Sequence, residues 1–162
     1  MSIAVPTGGV VAAPPPPEPE PLAANYLNNG YSIWSWLFTV DHKRIGILYL
    51  VSISVFFALG GLFAALVRTN LLSPTGAILS EDAYNRAFTA HGVLMLFFFL
   101  IPAVPGVFGN FFIPMMIGAK DLAFPKLNLA SWYVFMIGGA CAGWAVLVGG
   151  IDTGWTLYPP YS

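Results

Sequence analysis

The sequence predicts an all-α membrane protein, and three observations carry that reading. Of 162 residues, 57% are hydrophobic and only 8% are charged, against about a quarter charged in a soluble domain. Three stretches free of Lys, Arg, Asp and Glu, at residues 45–67, 87–117 and 129–151, are each long enough to cross a ~30 Å hydrocarbon core as helices rising ~1.5 Å per residue. Between Arg86 and Lys120 the one ionisable side chain is His91, and such a group inside a membrane segment is a functional hypothesis by default. The net charge of −1 leaves no electrostatic footprint for nucleic acid.

Residues 1–29 contain the run PPPPEPEP and no apolar periodicity. Such a segment keeps its backbone solvated and buries too little to fold, so it reads as a disordered tail or spacer. No basic n-region leads into an early apolar run, so no secretory leader is expected. Residues 30–44 follow as an interfacial segment. Trp34 and Trp36 in YSIWSWLF, next to Asp41, His42, Lys43 and Arg44, match an aromatic anchor at a membrane surface. His42 reads here as an ordinary surface histidine.

The first span, residues 45–67, is closed by Arg68, which reads either as a snorkelling interfacial arginine or as a partner for a bound group. The connection that follows holds a Ser-Pro-Thr-Gly turn at residues 73–76 and then Ser80, Glu81 and Asp82, which suit the start of a helix. The second span, residues 87–117, contains Pro102 and Pro105, which are expected to free backbone carbonyls and kink it. After a short polar loop, the third span at residues 129–151 is rich in Gly and Ala and is expected to pack closely on its neighbours. The single cysteine, Cys141, reads as a small core residue. Residues 152–162 (DTGWTLYPPYS) are turn-rich and interfacial.

Lys43, Arg44, Lys120 and Lys126 fall on one side of this arrangement, and Arg68 and Arg86 on the other. The basic excess places the N-terminus inside, with His91 near the outer face and Asp121 at the inner one. His91 beside Gly92, with Phe97, Phe98 and Phe99 following, suits an axial ligand of a haem, since imidazole nitrogen binds iron and aromatics shield a macrocycle. The alternative is a histidine hydrogen-bonded to a neighbouring helix. Asp121, with Asn110 and Asn128 near it, suits the mouth of a proton path, the alternative being a loop aspartate with helix-capping asparagines. The sequence offers no cluster of metal-ligating residues, no phosphate loop and no nucleophile–base pair.

Several motifs in fixed order narrow the choice: Asp41-His42-Lys43, Thr89-Ala90-His91, Gly109-Asn110, Met116-Ile117-Gly118-Ala119, Asp121-Leu122-Ala123-Phe124-Pro125, and Gly154-Trp155-Thr156-Leu157-Tyr158-Pro159-Pro160. From about Trp36 to the last residue the chain resembles the opening third of subunit I of the haem–copper terminal oxidases. The resemblance implies a bundle of about twelve helices, of which these three are the first. It implies that His91 is an axial ligand of the low-spin haem, haem A, and that Arg68 hydrogen-bonds a peripheral group of that haem. Trp155 and Tyr158 would lie near the haem propionates. Asp121 would open the proton path known as the D channel, with Asn110 and Asn128 in its lining.

The second haem, the copper and the residues that hold them would belong to later helices. With two histidines in all, these residues cannot complete an oxygen-reducing centre alone, so the chain reads as a portion of a longer or split subunit. Expected partners are the remaining helices of subunit I, oxidase subunits II and III, cytochrome c and the lipid bilayer, in a bacterial inner membrane. Quinol-oxidising relatives carry Arg, Asp and His where this chain has Leu59, Phe63 and Ala83, which favours cytochrome c as electron donor. Asn70 stands where many relatives have a glutamate contributing to an outer cation site. The reading from a different class is a three-helix membrane scaffold that binds no cofactor. A transporter finds little support, since no pair of broken helices repeats.

Overall fold

The computed structural model describes residues 25–28, 30–74, 78–149, 154 and 156. It is helical, with three helices long and apolar enough to span a membrane: His42–Asn70, Glu81–Ile117 and Pro125–Val148. Only 17%, 22% and 11% of their most apolar windows are buried within the chain. Most of their apolar surface therefore faces outward, as membrane helices do towards lipid or towards further helices. Cys141 is on that outward surface, exposed, and not in a core.

Each spanning helix begins before its uncharged stretch, the first two because polar residues at their N-termini are capped. Asp41 accepts a hydrogen bond from the backbone N–H of Lys43 at 2.8 Å, which draws His42, Lys43 and Arg44 into the first turn of the first span. Ser80 caps the second span through the N–H of Ala83 at 3.3 Å. Glu81 and Asp82 lie in that first turn, where acidic side chains complement the helix dipole. Pro125 opens the third span at a position where its missing N–H costs nothing. The second and third spans end on Gly118 and Gly149, whose φ angles of 68° and 77° favour residues without a Cβ.

The middle of the second span is where the prolines act. Its backbone widens into π-helical stretches at Leu94–Leu100 and Ala103–Gly109. Pro102 and Pro105 lack an N–H, and in a normal α-helix their rings would press on the carbonyls four residues earlier. The wider i→i+5 pattern relieves that conflict without ending the helix. The expected proline-induced break in the ladder thus takes the form of expanded turns.

The best-packed region lies towards the N-terminal end of the first span, where Ile45, Tyr49, Ile53, Val107, Leu129 and Trp132 form a buried cluster drawing on all three spans. Gly106, within the second π-helical stretch, allows the ring of Tyr49 to lie directly on the backbone: a methyl group there would meet Tyr49 Cδ1 at 2.7 Å. Further along, Phe56, Phe98 and Phe135 continue the packing, with ring centroids 5.0 Å and 5.6 Å apart for the Phe56 pairs. Gly139 of the third span meets Phe56, so the small residues of that span do allow close approach.

Ahead of the first span, residues Ile33–Leu37 form one short helix with Tyr31, Ile33, Trp34 and Phe38 exposed. Trp34 and Phe38 stack at 5.9 Å. This segment is held by Arg44, which is buried to 4% exposure. Arg44 donates to the carbonyls of Tyr26 (2.6 Å), Ser35 (3.2 Å) and Gly30 (3.4 Å), and its guanidinium lies over Trp36.

Candidate functional site

His91 is half-buried between the first and second spans. Its Nδ1 lies 2.9 Å from the carbonyl oxygen of Gly60 on the first span. A carbonyl can only accept, so Nδ1 carries the proton and, in the neutral ring, Nε2 keeps its lone pair. The structure therefore contains the hydrogen bond to a neighbouring helix that the sequence left open as an alternative. That same bond fixes the tautomer and ring orientation a metal-ligating histidine needs. Among the described residues no three His, Cys, Asp or Glu side chains converge.

The surroundings of His91 are partly within view. Thr89, two residues earlier, donates to the carbonyl of Asn85 and accepts from the backbone N–H of Gly154, both at 2.9 Å, tying the start of the last segment to this helix. Trp155 and Tyr158 lie outside the described residues. Arg68 is on the same helix as Gly60, eight residues or ~12 Å further along. It is exposed and has no hydrogen-bond or ion-pair partner among the described residues. Phe98 turns to Phe56 and Phe135, and Phe99 to Phe57 at 4.7 Å. Asn70 uses its side-chain oxygen to accept from Ile78 (3.1 Å) and Leu79 (2.9 Å), closing the connection between the first two spans.

At the opposite end of the bundle, Asp121 Oδ1 accepts from His42 Nδ1 at 2.9 Å and from the backbone N–H of Leu122 at 2.7 Å. His42 is 6% exposed, so it is not the surface histidine expected from its charged neighbours. The two side chains line a hollow of about 370 Å³ with Asp41, Lys43 and Lys120. A second hollow of about 380 Å³ begins at Leu122 and reaches Asn128 and Ser131.

Asn110 and Asn128 come together with each other. Asn128 Nδ2 donates to Asn110 Oδ1, and Asn110 Nδ2 lies 3.4 Å from Asn128 Oδ1 and 2.8 Å from the carbonyl of Gly106. From there the polar line continues along residues that sequence reasoning did not single out. Ser131 donates to the carbonyl of Asn128 at 2.7 Å, and that uses its one proton. The Tyr49 hydroxyl, 2.8 Å from Ser131 Oγ, is then the donor in that pair. Ser52 accepts from Trp132 Nε1 at 3.1 Å one turn beyond Tyr49. The available signal was spacing: Tyr49 is seven residues past His42, and Ser131 three past Asn128, each on one helix face.

A chain of three membrane-length helices, with a tautomer-fixed imidazole at one end and a carboxylate-led polar line at the other, belongs to the class of multi-helix membrane proteins. The comparisons narrow the class. The profile of the family described as Cytochrome C and Quinol oxidase polypeptide I matches residues 44–162. The cytochrome c oxidase subunit 1 of Thermostichus vulcanus is 44% identical over 133 residues, which is 80% of this chain and 24% of that protein. The subunit 1 of Corynebacterium efficiens is 40% identical over 149 residues, 91% of this chain and 25% of that protein. The probable cytochrome c oxidase subunit 1-alpha of Streptomyces avermitilis is 40% identical over 164 residues, 100% of this chain and 28% of that protein. The chain belongs to the cytochrome c and quinol oxidase polypeptide I family, and it spans about a quarter of the length of the curated relatives it matches.

Proposed function

We propose that this chain is the haem-ligating, proton-admitting portion of subunit I of a respiratory terminal oxidase that passes electrons from cytochrome c to dioxygen, forms water and pumps protons. The observation that carries the reading is the His91–Gly60 hydrogen bond at 2.9 Å. It leaves Nε2 as the one nitrogen able to bind iron, on a half-buried ring whose orientation a helix backbone sets. When bound, a low-spin haem A supplies one-electron redox capacity. His91 Nε2 would hold it, the Gly60 carbonyl would raise the ring's donor strength, and Arg68, Trp155 and Tyr158 would lie at its periphery. The donor set fits the group.

Asp121 Oδ1 collects protons at the inner face, beside His42 and in one hollow with Lys43 and Lys120. The Asn110–Asn128 pair and the Tyr49 and Ser131 hydroxyls orient water along the path inward, since amides and hydroxyls both donate and accept. The N-terminus is inside a bacterial cell membrane. The second haem, the copper and subunits II and III complete the enzyme together with the remaining helices of subunit I. Leu59 and Phe63 support cytochrome c as donor, for they offer a quinone oxygen no hydrogen bond. A quinol donor, which Leu59, Phe63 and Ala83 disfavour, and a cofactor-free scaffold are the alternative readings.

The test is a reduced-minus-oxidised visible spectrum of the native complex, wild type beside His91→Ala. Loss of the low-spin haem A band in the variant is the expected result. A spectrum indifferent to His91, or one without haem, leaves the scaffold standing.

A further inference from the structure

A groove of about 300 Å³ opens between the three spans at the end of the bundle opposite Asp121. Its walls include Phe63 of the first span, Ala90 and Val93 of the second, and Gly143 and Val146 of the third. The one hydroxyl on the wall, that of Thr89, is already used on Asn85 and Gly154. Nothing in the groove is left to hydrogen-bond a polar ring, so its chemistry selects a hydrocarbon. Its volume is at the lower bound of ligand pockets, which suits one chain.

The groove has a charged rim. Arg86 lies one turn before Ala90 and two before Val93, on the same helix face. Its guanidinium lies against Gly149, one turn past Val146: a methyl group on Gly149 would stand 2.7 Å from Arg86 Nη1. Arg86 is exposed and, among the described residues, no carboxylate lies within 4.0 Å of it. It is five residues, or ~7.5 Å, into a helix that begins at Glu81, which is headgroup depth for a membrane helix. A guanidinium at that level offers a forked set of donors suited to phosphate.

We propose that the groove binds one acyl chain of an anionic phospholipid of the bilayer, with its phosphate held by Arg86. This site is separate from the haem and the proton path. The apolar wall retains the chain, and the guanidinium selects the headgroup charge.

The test is native mass spectrometry of the purified, delipidated complex, titrated with dioleoylphosphatidylglycerol or dioleoylphosphatidylcholine. Arg86→Gln is expected to weaken phosphatidylglycerol binding about fivefold, the attraction of one basic residue for an anionic lipid surface, and to leave phosphatidylcholine unchanged. Gly143→Leu fills the groove, and because a Cβ at Gly143 meets nothing within 4 Å the variant is expected to fold, with an unaltered haem spectrum as control. It should abolish the saturable site. Phosphatidylglycerol binding indifferent to Arg86→Gln overturns the phosphate contact. Binding indifferent to Gly143→Leu overturns the site, and means that protein from the rest of the complex covers the groove.

Discussion

His42 and Asp121, 79 positions apart in the chain, meet at 2.9 Å, Nδ1 to Oδ1. The pair joins the first turn of the first span to the loop after the second, so one contact fixes both the closure of the bundle and the setting of its candidate proton acceptor. His42 is nearly buried and Asp121 is 44% exposed at its side chain. The carboxylate thus faces solvent on one side and an imidazole on the other.

From that geometry the two residues should differ in weight. Asp121→Asn keeps a hydrogen-bond acceptor but removes the proposed proton acceptor, and it is expected to lower turnover by about tenfold or more. His42→Gln retains a donor at similar reach and replaces a partly exposed contact, worth up to about fivefold in any equilibrium it controls. Oxygen consumption by the complex, with the haem spectrum unchanged, reads both. Equal losses in the two variants would show that the imidazole, and not the carboxylate alone, carries the proton.

The Asn110–Asn128 pair is the buried counterpart. Asn110 is 2% exposed and is bound both to Asn128 and to the Gly106 carbonyl. Removing either partner strands an amide at a largely buried site, at a cost of ~1–3 kcal/mol. Asn110→Ala and Asn128→Ala should each destabilise the complex, and the double variant should fall short of the sum by ~0.6–1.7 kcal/mol, the coupling found for hydrogen bonds between membrane helices. The midpoint of unfolding in a denaturing detergent measures each arm. Strict additivity would show that the two amides do not share a bond.

How much of this was legible beforehand depended on which physical signal each residue carries. The three spans could be read because absence of charge over twenty residues has one common cause, a bilayer. The second helix starts where Ser80, Glu81 and Asp82 suggested. The first and third start three and four residues before their uncharged stretches, at His42 and Pro125, because the Asp41 cap and Pro125 make polar or constrained residues good first-turn neighbours. The prolines announced an irregular second helix, but not that the ladder would widen into π-helical turns rather than kink. Asn110 and Asn128 stood out as polar residues in or beside apolar runs. His42 did not, since charged neighbours disguise a side chain that tertiary folding buries. Tyr49 and Ser131 look like ordinary interior residues until their hydroxyls are seen 2.8 Å apart.

Gly106 offers a packing test of the same region. A Cβ there would lie 2.7 Å from Tyr49 Cδ1 and 2.8 Å from Cγ, closer than side chains approach. Gly106→Ala should therefore destabilise by ~1–3 kcal/mol, the usual cost of overfilling a packed site, and push the Tyr49 hydroxyl away from Ser131. Combining it with Tyr49→Ala should recover part of the loss, because the clash goes with the ring. Thermal inactivation of the complex measures both variants. A neutral Gly106→Ala would mean that the two helices separate there without penalty.

Arg44 tests the segment ahead of the first span and the orientation of the chain at once. Its guanidinium binds three backbone carbonyls and lies over Trp36 at 4.9 Å, so it ties residues 26–36 to the first helical turn. An ammonium cannot reproduce that fork, and each charged hydrogen bond lost is worth ~1.5–3 kcal/mol. Arg44→Lys should loosen the segment, and Arg44→Gln should loosen it further. Local opening of that size raises cleavage by an added protease about tenfold or more, since proteolysis follows the population of the open form. With the N-terminus inside, the increase should appear in inside-out membrane vesicles and be absent from right-side-out ones. Cleavage only in right-side-out vesicles would reverse the sidedness, and with it the assignment of Asp121 to the proton-collecting face. Cleavage that ignores Arg44 in both would show that the aromatic helix Ile33–Leu37 is held by the membrane surface instead.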